Sequence, residues 1–419
     1  MPLGLYISVP FCRTKCSYCN FASDVFSKSA YENYVARLLE DIANSRQLAS
    51  ELGCAVGSIF DDTADSIYLG GGTPSILDAA QLLRIFAAAR GQFAVAPDAE
   101  ITVECAPGTL TPALVETLLQ CGVNRVSLGV QSFVDQEAQS VGRLHKRSTV
   151  LEEIARLRAA GLVNISIDLI AGLPHQTAES WAFSVSETIA TGVPHVSVYM
   201  LEVDEDSRLG RELIAGGSRY HAHFVPDDDA TADFYQQACD MLDSAGIAQY
   251  EISNFARTGS QLLTNQSRHN LKYWTRQPYL GFGVDAHSML PASFREECEA
   301  VRFATPDSLD AYMNRAPHSV TPVSAQAVIE ESFFLGLRLN RGIDLEELRA
   351  ELGAGTVAIR ESAIQQCVRE SLLEQQGAKV RLTPRGRLLS NEVFGRFLSE
   401  KAAERTAEIK VGTGHVNPR

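Results

Sequence analysis

A repeated strand-and-helix period dominates the first half of the chain. Short runs rich in Val and Ile recur every ~25–40 residues, and each is followed by a segment with helical spacing of apolar residues. The runs alternate only partly, as expected for strands covered on one or both faces. They are Leu5–Val9, Ser66–Leu69, Glu100–Glu104, Arg125–Val130, Asn164–Ile170 and His195–Met200. Successive βα units predict a parallel sheet, either an open doubly wound sheet or part of a barrel.

Polar residues stand at or just beyond the carboxyl ends of these strands. Barrels and α/β sheets bind their ligands at this edge, because the loops that follow parallel strands all meet there. Five strand ends carry such residues, in chain order Cys12, Gly70-Gly71-Gly72-Thr73-Pro74, Glu104, Gln131 and Asp168. The sequence therefore predicts one ligand site assembled from several strand ends.

Three cysteines lie directly after the first strand. Cys12, Cys16 and Cys19 have the spacing C-x3-C-x2-C. A structural zinc site and a four-cysteine iron–sulfur cluster each need four ligands. Three thiolates on a 4Fe–4S cluster leave one iron open to an exogenous ligand. The spacing therefore predicts a cluster with an open iron, and the six scattered cysteines are interpreted as small buried hydrophobes.

Charge and cysteine usage limit the class and the compartment. The 419 residues include 51 acidic and 37 basic side chains, a net charge of −14. Binding to nucleic acid needs clustered Lys and Arg, so we expect no nucleic-acid partner. No apolar run reaches the ~18 residues of a membrane span, and no basic and apolar leader precedes the first strand. Nine cysteines, an odd number, do not suggest a disulfide framework, and we expect a cytoplasmic location.

The pattern changes along the chain and predicts four regions. Residues 1–230 hold the βα units, and residues 231–320 form a mixed extension in which 247–255 reads as one strand. Residues 321–400 read as helices followed by a small hairpin and a helix, an order that resembles a winged-helix module. The acidic balance favours a structural or docking role for that module over DNA binding. The polar residues 401–419 are predicted to be a disordered tail.

The motifs at the strand ends resemble the oxygen-independent coproporphyrinogen III oxidase group of the radical S-adenosylmethionine superfamily. The resemblance runs from residue 3 to about residue 395. It implies a partial (β/α)6 barrel, a mixed extension and a small helical, winged-helix-like C-terminal domain. It also implies one 4Fe–4S cluster on the three cysteines, with S-adenosylmethionine at the open iron. The matching stretches are Tyr6–Cys12 with Cys16, Tyr18 and Cys19, Gly70–Pro74, Gly129–Phe133, Gly142–His145 and Asp168–Pro174.

Two features indicate a subgroup of this family. Coproporphyrinogen oxidases proper carry a further cysteine two residues after the third cluster cysteine, where this chain has Phe21. They also carry a long extension before the first strand, whereas this sequence begins within five residues of that strand. In both differences, and in the HNLKYW segment His269–Trp274, the chain is similar to the HemW-type heme chaperones, which bind heme and pass it to acceptor proteins. The alternative is an enzyme that decarboxylates coproporphyrinogen III through a deoxyadenosyl radical.

The resemblance assigns roles in binding S-adenosylmethionine. The Gly70–Gly72 run lets backbone groups approach the methionyl part, where side chains would obstruct it. Glu104 would accept the methionyl ammonium group, and Arg143 would meet the carboxylate as a bidentate partner. The other implied contacts are Tyr18 with adenine, Gln131 and Asp168 with the ribose, and Thr73 and Tyr6 close by.

Two histidines are candidates for the heme iron. An imidazole is a common axial ligand of heme, and His269 and His287 lie in or near segments that the resemblance singles out. Each could equally be a hydrogen-bonded structural residue. Asp285, where the family usually has Gly, would place a carboxylate near His287.

The resemblance implies heme-accepting proteins as partners. Any contact with membrane hemoproteins is expected to be peripheral, and the chain is expected to be a monomer or a cluster-dependent dimer.

Overall fold

The computed structural model describes residues 1–60, 63–259, 265–293 and 298–399. The predicted tail, 401–419, lies outside these residues. The described chain contains a 12-stranded mixed sheet and a separate three-stranded sheet. Within the described ranges, no helix combines the length and the apolar character needed to cross a membrane.

Six parallel strands pair in chain order and confirm the predicted βα half. The third strand starts at Val95, five residues before the predicted Glu100. The sequence pattern missed these residues because Pro97 and Asp98 interrupt the apolar run. The fourth strand begins at Arg125, as predicted. The strands are β1 Leu3–Val9, β2 Ala64–Gly71, β3 Val95–Cys105, β4 Arg125–Gln131, β5 Asn164–Ala171 and β6 His195–Met200.

Helices connect these strands and have local start and stop signals. The third helix begins with a capping box between Asp78 and Gln81, and the seventh ends at Gly192 in the left-handed region, φ 67°. The helices are α1 Lys28–Glu51, α2 Val56–Phe60, α3 Ala79–Gln92, α4 Pro112–Gln120, α5 Asp135–Ser140, α6 Arg147–Ala159 and α7 Ala178–Thr191.

The large sheet curves around an open groove rather than closing. One face of β1, with Leu3, Leu5, Ile7 and Val9, is buried in the main apolar core that the helices cover. The opposite, concave face is polar. A sheet that carries its helices on one face fits part of a barrel and not a doubly wound sheet, which would carry them on both. The strand order runs from the twelfth strand to the seventh without closing, so the predicted partial barrel is confirmed.

The extension lengthens the sheet at both ends. The predicted strand 247–255 is wrong as a single element, because the chain turns near Tyr250 and forms two short antiparallel strands. On the other side, β9 pairs parallel with β1, and three antiparallel strands follow. The elements are α8 Arg208–Ala215, α9 Asp228–Ser244, β7 Ile247–Gln249, β8 Asn254–Arg257, α10 Arg268–Trp274, β9 Tyr279–Phe282, β10 His287–Pro291, β11 Ala300–Ala304, α11 Leu309–Met313 and β12 Ser319–Val323.

The C-terminal region has its own apolar core and the element order of a winged helix, as predicted. Three ion pairs among the described residues attach it to the extension. Arg338 Nε lies 2.9 Å from Glu251 Oε2, Arg276 Nε lies 3.1 Å from Glu331 Oε2, and Arg302 Nη2 lies 3.0 Å from Glu331 Oε1. Its elements are α12 Ala325–Arg338, β13 Ile343–Asp344, α13 Leu345–Leu352, α14 Ala354–Ala358, α15 Glu361–Arg369, β14 Leu373–Gln376, β15 Lys379–Leu382, α16 Pro384–Leu388 and α17 Ser390–Gly395.

A candidate cofactor site at the strand ends

The concave face of β1 to β6 is lined with polar side chains. Side chains alternate between the two faces of a strand, so the residues between the apolar core positions all point into the groove. Closed barrels fill this space with branched aliphatic residues, whereas here the side chains are polar and mostly buried. The groove residues include Ser66, Tyr68, Thr102, Glu104, Arg125, Ser127, Ser166, Asp168, His195, Ser197 and Tyr199.

The cysteine loop follows β1 and folds back on itself. Cys12 N donates to Asp24 O at 3.0 Å, and Lys15 Nζ donates to the carbonyl groups of Phe21 and Ser23 at 2.6 Å each. Thr14 Oγ1 donates to Gly142 O at 2.9 Å, which ties the loop to the segment between α5 and α6. The loop is therefore held by backbone and lysine contacts that leave the thiols available.

The three thiols are free and partly exposed. Burial raises the pKa of Cys12, hydrogen bonds with Ser23 and Thr73 oppose that rise, and the neighbouring thiols of Cys19 and Cys16 add to it. Among the described residues, no three His, Cys, Asp or Glu side chains converge closely enough to hold a single metal ion. An iron–sulfur cluster takes each thiolate on a different iron, so its ligands need no common point. The donor set fits a cluster better than a single ion.

The glycine run lies directly beneath the cysteine loop. Gly72 N donates to Val9 O at 2.7 Å, and a Cβ added at Gly72 would lie 2.7 Å from Phe11 O and 3.0 Å from Cys12 Sγ. Gly71 has φ 105°, which favours glycine. The run thus lets β2 pack against the loop that carries the cysteines. Close approach to a ligand, as the sequence predicts, remains compatible with this packing.

Glu104 is fixed from the neighbouring strand. Tyr68 Oη donates to Glu104 Oε1 at 2.8 Å, and Gly71 N donates to Glu104 Oε2 at 3.2 Å. Both contacts come from β2, so the carboxylate is aimed along the rim beside the glycine run. Tyr68 was not a candidate from the sequence, and the only signal for it was its place on the groove face of β2.

Arg143 and Tyr18 meet at the rim. Arg143 Nη2 donates to Tyr18 Oη at 3.1 Å, while the buried Arg143 Nε has no hydrogen-bond partner among the described residues. The Tyr18 ring packs against Val141, Ile170 and Leu173. Burial raises the pKa of Tyr18, and the nearby guanidinium opposes that rise. Tyr18 therefore orients Arg143, and its stacking on adenine stays a prediction.

Asp168 and Gln131 lie on neighbouring strands. Ser127 Oγ lies 3.1 and 3.0 Å from the two carboxylate oxygens of Asp168. Burial raises the pKa of Asp168, and the hydroxyls of Ser197 and Ser127 oppose the rise. Gln131 has φ 68° where β4 bulges, and its buried Oε1 has no partner in the described chain. A strained backbone and an unpaired buried amide oxygen are features expected of a residue that binds a ligand.

His269 is deeply buried at the opposite end of the groove. It is 1% exposed, its Nδ1 lies 3.0 Å from Ser66 Oγ, and its Nε2 lies 2.8 Å from Tyr273 Oη. Burial is the main cause that lowers the pKa of His269, to about 3. Both ring nitrogens are thus engaged, and the structure gives His269 the arrangement of a structural histidine. Tyr6 stacks near this ring, with centroids 6.3 Å apart, and not at the cysteines.

His287 lies at the surface beside Asp285. Its side chain is 54% exposed, and its Nε2 lies 3.7 Å from Asp285 Oδ1. Asp285 and Phe21 both line a shallow pocket between the cysteine loop and the β9–β10 turn. Unlike His269, this imidazole is accessible from outside the protein.

Comparisons with known proteins agree with this geometry. Residues 6–185 match the family model of the radical SAM superfamily, and residues 323–389 match the HemN C-terminal domain. The heme chaperone HemW of Bacillus subtilis is 32% identical over 397 residues, which cover 94% of this chain and 99% of that protein. The heme chaperone HemW of Escherichia coli is 30% identical over 400 residues, covering 95% and 99%.

A solved structure shares the fold over nearly the whole chain. Coproporphyrinogen III oxidase (HemN) from Escherichia coli superposes with a TM-score of 0.78, covering 94% of this chain and 90% of that one at 22% identity. At this identity the likeness shows the fold alone. The two HemW relatives, at 32% and 30% identity, match over almost their full length, and they decide the family. The chain belongs to the HemW family, within the radical SAM superfamily.

Proposed function

We propose that this protein is a heme chaperone, which binds heme and passes it to heme-accepting proteins. The observation that carries the proposal is the nearly full-length match to proteins named heme chaperones, of which that from Bacillus subtilis is 32% identical. Phe21, in place of a fourth nearby cysteine, supports the same assignment. We place the protein in the cytoplasm, as a monomer or as a dimer that forms when the cluster is present.

The rim residues fit a cluster and S-adenosylmethionine. Cys12, Cys16 and Cys19 supply three sulfur ligands on a loop whose backbone is already fixed. The unpaired Gln131 Oε1 and Arg143 Nε are buried atoms that a polar ligand would satisfy. When bound, a cluster with one open iron supplies an attachment point and an electron. Arg143, oriented by Tyr18, would hold the carboxylate, and Glu104, oriented by Tyr68, would hold the ammonium group.

For the heme iron we propose His287 in preference to His269. A ligand must present a free ring nitrogen, and His287 is half exposed whereas both nitrogens of His269 are engaged. Asp285 is close enough to orient the His287 ring, and a carboxylate on the second ring nitrogen makes a histidine a stronger ligand. His269 would then hold the closed end of the groove together.

The test is heme titration of the cluster-loaded protein with two variants. His287→Ala should weaken heme binding by about tenfold or more and shift the Soret band, because the iron loses an axial ligand. His269→Ala should lower the melting temperature and leave the Soret position unchanged. The reverse pattern would return the axial role to His269, and absence of heme binding by the wild-type protein would refute the chaperone proposal.

The oxidase fold supports one alternative function. The solved structure with a TM-score of 0.78 is a coproporphyrinogen III oxidase, so decarboxylation of coproporphyrinogen III propionates is the competing activity. An anaerobic assay with coproporphyrinogen III, S-adenosylmethionine and a reductant separates the two functions. We expect no protoporphyrinogen, and its formation would reverse the ranking.

A further inference from the structure

Two arginines share one carboxylate where the extension meets the C-terminal region. Arg276 Nε lies 3.1 Å from Glu331 Oε2, and Arg302 Nη2 lies 3.0 Å from Glu331 Oε1. Within the described residues, neither arginine forms an ion pair with a second carboxylate. Two guanidinium groups and one carboxylate carry one positive charge in excess. The group is therefore only partly neutralised by the protein itself.

Arg302 is the member of this group that solvent reaches. Its side chain is 35% exposed, whereas that of Glu331 is only 8% exposed. Arg302 lies across β10, with Nη2 3.4 Å from Met289 Sδ. On its other side Thr321, the residue that pairs with Arg302 on the edge strand β12, is exposed as well. A ligand on this face of the sheet can therefore contact the guanidinium without entering the core.

Arg302 points to the same face of the sheet as His287. In the register of β10 and β11, Met289 lies opposite Arg302, and His287 lies opposite Ala304. Because side chains alternate along a strand, these four residues share one face. His287 and Arg302 are thus diagonal neighbours, about 7 Å apart. The small Ala304 side chain lies next to both, and the exposed imidazole and guanidinium can contact one flat ligand together.

We propose that Arg302 binds a propionate of the heme whose iron is held by His287. The inference rests on the proposed function and names a second contact for the same heme. Propionates are carboxylates at one edge of the macrocycle, so an iron ligand and a cation on neighbouring strands can hold one molecule. A guanidinium matches a carboxylate in bidentate geometry. The propionate supplies the negative charge that Glu331 cannot provide to both arginines.

The test compares heme with its dimethyl ester, in which both propionates are blocked. Both ligands are titrated into cluster-loaded protein in the same detergent, and the Soret band reports binding. Wild-type protein should bind heme at least about tenfold more tightly than the ester. Arg302→Gln should weaken heme binding by about 10- to 100-fold, the range for one charged hydrogen-bonded contact, and leave the ester affinity unchanged. The Soret position should not shift, because the iron keeps His287.

Three further variants separate a direct contact from a structural role. Glu331→Gln removes the carboxylate that competes for Arg302, so heme should bind at least as tightly as to the wild type. A merely structural ion-pair group would give weaker binding instead. Arg302→Lys keeps the charge and loses the bidentate geometry; it should fall between wild type and Arg302→Gln, and it serves if Arg302→Gln does not fold. Arg315→Gln, an exposed arginine paired with Glu40, is the matched control and should behave like the wild type.

Three results would overturn the proposal, and each has its own meaning. Equal wild-type affinity for heme and the ester would show that no propionate is bound, and the chaperone function would stand. Equal losses for heme and the ester in Arg302→Gln, or weaker heme binding in a folded Glu331→Gln protein, would make Arg302 a structural residue of the junction. A wild-type protein that binds neither ligand would refute the chaperone function itself, and the propionate assignment with it.

Discussion

The two ends of the groove use polar residues in different ways. At the rim, formed by the carboxyl ends of β1 to β5, Gln131 Oε1 and Arg143 Nε are buried without partners in the described chain. At the closed end, which α10 covers, His269 uses both ring nitrogens, and Lys272 Nζ contacts Asp65, Pro2 O and Gln277. The rim retains hydrogen-bonding capacity for a ligand, whereas in α10 the polar atoms of His269 and Lys272 are used in the fold, and Trp274 Nε1 has no hydrogen-bond partner among the described residues.

This difference teaches how to interpret a polar motif. Both the strand ends and the HNLKYW segment look functional in the sequence, because each concentrates polar and aromatic residues. The hydrogen bonds of individual residues separate them, since a satisfied buried group stabilises the fold and an unsatisfied one lacks that role. Trp274 Nε1 and Arg125 Nε are also buried without partners among the described residues, so the distinction holds for His269 and Lys272 and not for every residue toward the closed end.

The largest effect should come from the cysteine loop. Cys16→Ala removes one of the three proposed sulfur ligands, and we expect nearly complete loss of iron and sulfide after anaerobic reconstitution. Cys54→Ala, a buried cysteine elsewhere in the core, is the matched control and should reconstitute normally. Iron and sulfide analysis with visible absorption measures both variants. A full cluster in Cys16→Ala would show that Cys16 is not a cluster ligand, and the rim would then lose its role as a cofactor site.

Substitutions at the closed end of the groove should lower the free energy of unfolding. Lys272→Met leaves Asp65 without its cation at a site where the lysine is 1% exposed and the aspartate 18%. We expect a loss of roughly 3 kcal/mol in the free energy of unfolding, at the low end for a buried pair because Asp65 keeps some contact with water. Arg84→Met breaks an exposed pair with Glu32 and should cost less than about 1 kcal/mol. Urea unfolding measures both, and equal losses would contradict the structural role of α10.

Substitutions at the rim should weaken the binding of S-adenosylmethionine and leave the free energy of unfolding nearly unchanged. Arg143→Gln should weaken binding of S-adenosylmethionine by about 10- to 100-fold, because a charged hydrogen-bonded contact is lost. Tyr18→Phe removes the hydroxyl that orients Arg143 and should weaken binding only about 2- to 10-fold. Equilibrium dialysis with cluster-loaded protein measures both. Unfolding midpoints close to wild type are the control, and an Arg143→Gln protein that is merely unstable would place Arg143 with the structural residues.

The last prediction concerns acid stability, an effect that develops gradually with pH. The pKa of His269 is about 3 in the folded protein and near 6.5 in an unfolded chain. Between these values the unfolded chain binds a proton that the folded protein does not, so stability is complete above about pH 6.5 and falls as the pH decreases, by about 1.4 kcal/mol per pH unit. The pKa values of His145, about 4, and of His195 are lowered in the same direction and add to the slope.

His269→Gln should therefore flatten the pH dependence by about one proton between pH 6 and 4. The unfolding free energy from urea titrations at several pH values gives this slope. An unchanged slope in His269→Gln would mean that the imidazole is not buried in solution.

Much of the fold could be predicted from the sequence, because parallel strands covered by helices have a strong apolar signature. The six strands and the gathering of Cys12, Glu104 and Asp168 at one edge follow from that period and from the rule for strand ends. The contact between Tyr68 and Glu104, in contrast, depends on the register between β2 and β3, which a single chain does not reveal.

The role of His269 could not be predicted for a different reason. A histidine in an aromatic segment is compatible with a ligand or with a structural residue, and only the packing of α10 against β2 decides between them. The split of 247–255 into β7 and β8 was also beyond the sequence. No Gly or Pro interrupts residues 247–255, and the turn near Tyr250 is specified by contacts of Tyr250 with His195 and Ser267.

The buried carboxylate of Glu251 has a consequence for how the polypeptide can be divided. It is fully buried in the extension, and its cation, Arg338, comes from the C-terminal region and also covers the Trp274 ring at 4.1 Å. A shortened chain that ends near residue 320 would strand this negative charge in the interior and uncover the indole. The winged-helix region thus completes the interior of the extension, and the extension depends on it for the counter-charge of Glu251 and the cover of Trp274.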